Sequence, residues 1–311
     1  MAIAIIPAPR VSLSGFAECV SNHLPRLLHS IFRGLPSVTS QPSLKFLRSS
    51  HSGSLKTLFS DSLTVFWGDW LDLRVRAPQV IASGLVSPLI YILAFGLGLG
   101  SALDSAMEPP VGDSYLQFIL PGMVALSSMT ICFGGTTFSI CGERLYSKTF
   151  EEILLLPSPP LALFLGKMLA GVVRGLMTSV SVVAIALLFT RNLNFLSPLF
   201  LLVLVLNCAV FAGLGVIVGL NVKSLEEVGL LNNFLIVPMS FLGATFFDPA
   251  TLPLVLKGIV YLLPLTYTTT ALRAAVYEPL ARFPWYSIAV LLVAAIALSA
   301  IGAYQFSHQK D

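Results

Sequence analysis

The sequence predicts an all-α membrane protein. It has six transmembrane helices, an N-terminal interfacial helix, a cytosolic helix after the second span and short external helices before the last. Three observations carry this. Of 311 residues, 56% are hydrophobic and only 11% are charged, where a soluble domain carries about 25% charged residues. Six apolar runs, at 79–100, 116–141, 168–190, 198–221, 229–247 and 284–306, reach the roughly 20 residues that a membrane helix needs. None of the runs contains Asp, Glu or His.

Residues 1–57 stand apart. They hold 11 serines, six Lys/Arg and a single acid, Glu18. Ser-rich, acid-poor composition is that of organelle transit peptides. A poorly ordered cytosolic tail, or a start codon placed too early, fits the same residues. The opening MAIAIIPAP lacks preceding basic residues and is too short for a secretory signal. The expected division is a tail at 1–57 and a transmembrane domain at 58–311.

Residues 58–76 read LFSDSLTVFWGDWLDLRVR. Phe59, Leu63, Phe66, Trp67, Trp70, Leu71 and Leu73 recur mostly at helical spacing among Asp61, Asp69, Asp72, Arg74 and Arg76. Tryptophans favour the membrane interface, so this is an interfacial helix leading into the first span. Gly96, Gly98 and Gly100 loosen the end of that span.

Basic residues orient the spans. With both ends in the cytosol, 13 Lys/Arg fall inside and four outside, and Arg174 lies within the third span. The loop at 101–115 has no Lys or Arg, only Asp104, Glu108 and Asp113 as charges. The stretch GERLYSKTFEEILLLPSP at 142–159 is therefore cytosolic. Its charges, with Tyr146, Phe150, Ile153 and Leu154, suit a short amphipathic helix that Pro157, Pro159 and Pro160 end. Residues 248–283 are broken by Pro249, Pro253, Pro264 and Pro279. They read as short helices in the membrane face, where backbone must be covered by protein or reach water.

The chemistry is sparse. His23, His29, His51 and His308 lie outside the spans, and neither HExxH nor GxSxG occurs. The nearest approach to a phosphate-binding loop is Gly166-Lys167-Met168, with Leu161 at the first glycine position and Met168 in place of the hydroxyl. Cys19, Cys132, Cys141 and Cys208 show no CxxC spacing and read as small buried hydrophobes. No catalytic, cofactor-binding or metal-ligating residue is expected. A net charge of +3 does not suggest nucleic acid. Proton- or sodium-coupled carriers place acids or His within spans, and none is there. A stand-alone channel or secondary carrier, or a membrane-embedded enzyme, is thus disfavoured. A partner that supplies energy needs a docking surface, and 142–160 offers one.

Three blocks then match a known family. They are YLQFILPGMVALSSM (115–129), GERLYSKTFEEILLLPSPPLALFLGKMLAG (142–171) and VPMSFLGATFFDPATLPLVLKGIVYLLPLTYTTTALR (237–273). Their order and spacing resemble the ABC-2 type permeases, the membrane subunits of ABC exporters of drugs or lipo-oligosaccharides. Two departures stand out: Lys148-Thr149 where many members have Gly-Thr, and Leu263 where an Asn precedes the Pro. The resemblance implies a coupling helix at 142–156, in which Glu143, Arg144, Lys148, Phe150, Glu151 and Glu152 meet an ATPase. It implies two ATPase copies holding ATP and Mg, a second permease chain as a homodimer, and a bacterial inner membrane. An organelle membrane such as that of a plastid follows if 1–57 is a transit peptide. An apolar interior suits an amphipathic or lipid-like cargo.

The remaining polar residues carry alternatives. Lys167 can snorkel to the cytosolic surface. Arg174, about 10 Å deeper, contacts substrate or a lipid headgroup, or pairs with backbone carbonyls or an acid. Glu226 and Glu227 form a solvated turn or a second ATPase contact. Asn207, Asn232 and Asn233 read as interhelical glue, and Gly171-x-x-x-Gly175 and Gly215-x-x-x-Gly219 permit close helix approach.

Overall fold

The computed structural model describes residues 55–94, 115–155, 158–190, 192–249 and 252–310. Nearly all of the tail at 1–57, the three glycines at 96, 98 and 100, and the acids of the first outer loop lie outside the described residues. Within them the chain is helical, without strands. The α-helices are α1 (Leu55–Tyr91), α2 (Tyr115–Gly142), α3 (Thr149–Leu154), α4 (Pro160–Thr190), α5 (Pro198–Asn221), α6 (Leu225–Leu231), α7 (Val237–Leu242), α8 (Leu254–Leu262), α9 (Pro264–Tyr277) and α10 (Trp285–Lys310). Among the described residues, six helices are long and apolar enough to cross a membrane: Lys56–Ala94, Tyr115–Ser147, Pro160–Thr190, Pro198–Asn221, Leu225–Leu242 and Trp285–Gln309.

Local chemistry explains the ends. Ser197 caps α5 by accepting from the Phe200 amide at 3.2 Å, and Pro198 follows at the first helical position. Ser224 caps α6 by accepting from the Glu227 amide, while the Glu227 carboxylate accepts from the Lys223 amide. Between α8 and α9 the chain turns by 89°. Pro264 has no N–H to continue α8, and it forces Leu263 into extended backbone (φ −85°, ψ 127°). Thr266 Oγ1 and Tyr267 Oη donate to the carbonyls of Val260 and Tyr261 at 2.6 and 2.8 Å, covering groups the break exposes.

Two features differ from the sequence reading. The segment at 58–76 and the first span form one 37-residue helix, about 55 Å long. Pro78 removes one hydrogen bond without stopping it. Residues 142–160 do not form a single helix. A π-helical turn, Glu143–Ser147, continues α2; Lys148 then takes left-handed backbone (φ 55°), and α3 begins.

Side-chain contacts set the helix directions. Along α2, residues 128, 136 and 143 meet Gly175, Gly171 and Lys167 of α4, so these two helices run antiparallel. Asn207 and Gly215 of α5 meet Ala125 and Phe133 of α2 in parallel, as do Asn221 of α5 and Gln305 of α10. α2 lies at the centre, with its apolar residues almost fully buried from Phe118 to Phe133. Phe133, Phe164, Phe200 and Phe211 fill the core around it.

Small residues permit this closeness. A Cβ at Gly215 would lie 2.8 Å from the Phe133 carbonyl, and one at Gly175 would overlap Cys132 Sγ. The glycine spacings noted above are therefore packing sites. Gly175→Ala is expected to destabilise the chain by about 1–3 kcal/mol through overpacking. Cys132→Ala on that background should recover part of the loss, as read by thermal unfolding in detergent.

Candidate functional site

The end of the bundle where α2 finishes and α4 begins is organised by a buried cation. Lys167 belongs to the first turns of α4 and is only 3% exposed. Its Nζ donates to Asp69 Oδ1 at 2.7 Å and to Glu143 Oε2 at 2.5 Å. Lys167 thus does not snorkel to the surface. Two carboxylates from other helices meet it, because a buried ammonium without partners would be far costlier than the pair. Gly166 makes room for this approach: a Cβ there would press on Val65 and on the Ser62 carbonyl, at 2.7 and 2.8 Å. Ser139 Oγ donates to the other Glu143 oxygen at 3.3 Å.

The six residues of the expected coupling segment divide into two sets. Glu143, Arg144 and Phe150 turn inward. Arg144 Nη1 donates to the carbonyls of Gly219 and Val222 at 2.9 and 3.2 Å. It caps the negative end of α5, where a cation is favoured, and its guanidinium lies 5.9 Å from the Phe150 ring centroid. Phe150 is buried among Val65, Ile140, Leu163, Leu220 and Phe306. Lys148, Glu151 and Glu152 remain exposed, beside Tyr146 and Leu155. The π-helical turn and the left-handed Lys148 separate the sets by re-aiming α3 relative to α2. One face of the segment is fastened to α1, α4, α5 and α10; the other faces outward with a cation, two acids and a tyrosine.

Arg174 sits within α4. Its Nη1 donates to the Gly135 carbonyl of α2, one of the arrangements its depth demands. Glu226 and Glu227 are exposed on α6. Asn207 is fully buried and joins three helices: its Nδ2 donates to Ser128 Oγ at 2.8 Å and the Ala125 carbonyl at 3.3 Å, and its Oδ1 accepts from Thr268 Oγ1 at 2.9 Å. Asn232 and Asn233 line an open cleft. Cys132, Cys141 and Cys208 are buried free thiols.

Sequence reasoning missed two groupings. Asp69 stands in the sequence only as one of the charges of an interfacial helix, yet it faces inward at helical spacing with Ser62, Val65 and Leu73. Arg273 reads as an external basic residue. It is buried, its Nε and Nη2 donating to the carbonyls of Phe118 and Thr245 at 3.0 and 2.6 Å, and it lies 3.7 Å from the Phe118 ring centroid. It locks α9 onto the N-terminal end of α2.

Comparison with known proteins bears on most of the chain. A family model described as ABC-2 type transporter matches residues 62–277. The inner membrane transport permease YadH of Escherichia coli K12 is 27% identical over 220 residues, which is 71% of this chain and 81% of that protein. Nodulation protein J of Rhizobium leguminosarum bv. trifolii is 30% identical over 213 residues, covering 68% of this chain and 79% of the relative. Nodulation protein J of Rhizobium meliloti is likewise 30% identical over 213 residues.

Removing the cation leaves two partly buried acids, each 18% exposed, without their partner. Lys167→Met is expected to destabilise the chain by about 3–5 kcal/mol. Adding Asp69→Asn and Glu143→Gln should recover most of the loss in detergent-solubilised thermal unfolding.

Proposed function

The chain belongs to the ABC-2 type transporter family, and from that premise we propose that it is the permease of an exporter, driven by ATP hydrolysis on a separate subunit. Membership makes it a membrane permease subunit rather than an enzyme in itself. The exporter reading goes further. Two copies of the chain form the pathway as a homodimer, and two ATPase subunits, which hold ATP and Mg, dock from the cytosol. A bacterial inner membrane is the proposed setting, in keeping with the name of the E. coli relative.

One observation carries the coupling reading: the segment after α2 has a fastened face and a free one. Glu143, Arg144 and Phe150 tie it to four helices, while Lys148, Glu151 and Glu152 stay exposed. A partner that grips the free face moves the fastened face with it. Through Lys167 and Asp69 that movement reaches α4 and α1; through the Gly219 and Val222 carbonyls it reaches α5. Closure of an ATPase pair below would then reorient the spans, as a lid closure does in other machines. The short helix offers a register set by its charges, a recurrent mode of helix-in-groove docking.

The outer face of α1 supports membrane contact. Phe59, Leu63, Trp67 and Leu71 recur every four residues and are exposed, while Ser62, Val65 and Leu73 on the opposite side are buried. The outward stripe fits the headgroup boundary. An amphipathic or lipid-like cargo is the proposed substrate.

Glu151→Lys with Glu152→Lys tests the coupling role. Both side chains are exposed, so folding stability should change by no more than about 0.5 kcal/mol. Co-purification of an ATPase with the tagged chain, and ATP-dependent export, should fall at least tenfold. A double variant that keeps both, or a wild-type chain that never brings down an ATPase, would overturn the reading.

A further inference from the structure

The third span carries an arginine whose bonding is incomplete. Arg174 follows Lys167 by seven residues, about 10 Å toward the membrane centre. A cation at that depth costs about 2.5–3.5 kcal/mol on insertion scales. Its Nη1 is used by the Gly135 carbonyl, but among the described residues its buried Nε has no hydrogen-bond partner. Asn232 Oδ1, on the π-helical turn between α6 and α7, is buried and unpartnered as well. The two groups converge on one patch of wall. A Cβ at Gly135 would lie 2.7 Å from Arg174 Cδ, and one at the adjacent Gly134 would lie 3.6 Å from Asn232 Oδ1.

That patch lines a cleft of about 630 Å³ between α1, α2 and the α6–α7 span. Its other charges, Asp72 and Arg76, pair with each other at 3.0 Å, so Arg174 leaves the lining with one net positive charge, felt most strongly by Asp69 outside the cleft. The cleft does not end there. It shares Asp72, Arg76, Phe138 and Ser139 with a cavity of about 720 Å³ that reaches Tyr146 and Thr149 at the cytosolic end. Toward the outer side it shares Ser83, Thr130, Ile131 and Asn232 with a smaller cavity of about 160 Å³ that reaches Tyr91. Three cavities thus follow one another along α1 and α2, and Arg174 lies at their midpoint.

We propose that this cleft binds the anionic headgroup of an amphiphilic cargo on its way across, with Arg174 and Asn232 as its contacts. An orphan donor calls for an anionic oxygen, and an orphan acceptor calls for an adjoining hydroxyl. A phosphate or carboxylate next to a hydroxyl meets both needs. Buried polar groups are normally satisfied, so two orphans facing one roomy, polar cleft point to a ligand. The headgroup enters beside Tyr146 and leaves toward Tyr91, with its apolar tail toward the lipid. The inference rests on the export reading for the word cargo, and on the geometry alone for the site.

Lysophosphatidic acid carries a phosphate beside a hydroxyl and serves as the probe. Its binding to the purified full-length chain in nonionic detergent can be followed by native mass spectrometry, against lysophosphatidylcholine and inorganic phosphate. Saturable binding of lysophosphatidic acid is expected, at least tenfold tighter than that of lysophosphatidylcholine, with no competition from inorganic phosphate. Arg174→Gln should weaken it at least tenfold. Gly134→Val, which fills the cleft and leaves the charge in place, should do the same. Equal binding of the two lipids, or wild-type binding by both variants, would overturn the site. Competition by inorganic phosphate at matched concentration would make it a free-anion site and overturn the headgroup assignment. ATPase recruitment measured on the same samples separates the two readings. Selective binding without an ATPase sinks the export reading alone, and recruitment without lipid selectivity sinks the site alone.

Discussion

A lysine ammonium buried between two carboxylates constrains the half of this molecule where α2 ends and α4 begins. Lys167 cannot be left unpaired at 3% exposure, and neither Asp69 nor Glu143 belongs to its own helix. The pairing therefore dictates where α1, the end of α2 and the start of α4 sit relative to each other. Gly166 is the steric condition for it, since any side chain there would push α1 away. A buried pair of this kind adds little net stability over an apolar replacement, but it holds one register against others.

The segment between the second and third spans depends on that register. Glu143 is both the last link of the buried pair and the first residue of the π-helical turn. Arg144, next in sequence, turns to the exposed carbonyls at the end of α5, and Phe150 drops into the apolar cluster below. Neighbouring residues thus reach different helices, leaving one face of a six-residue helix for contact from outside. The short helix has no means of holding itself together at that length; its inward anchors do so.

The outer end uses the same physics with backbone in place of carboxylates. Arg273 donates to two carbonyls from separate segments and lies over the Phe118 ring. Tyr115 Oη donates to the Phe246 carbonyl at 2.9 Å. Broken helices near a membrane face leave backbone groups that must be satisfied by protein, and the α8–α9 bend meets that demand with side chains a few residues away. Between the two ends, Asn207 ties α2, α5 and α9 at the middle of the core.

Hydropathy was enough to read six spans, because each span meets the bilayer on its own terms over about 20 local residues. The proline at 264 also marked the break between α8 and α9. Packing alone decided which charges face inward. Asp69 and Lys167 are 98 residues apart in the chain, and no local pattern distinguishes an acid that meets a buried lysine from one that meets water. The same holds for Glu143 and Arg144, which one π-helical turn sends into the bundle, and for Arg174 and Asn232, which line one cleft only where separate helices converge. Burial of a polar group depends on neighbours distant in sequence, and so it emerges only when the helices are assembled.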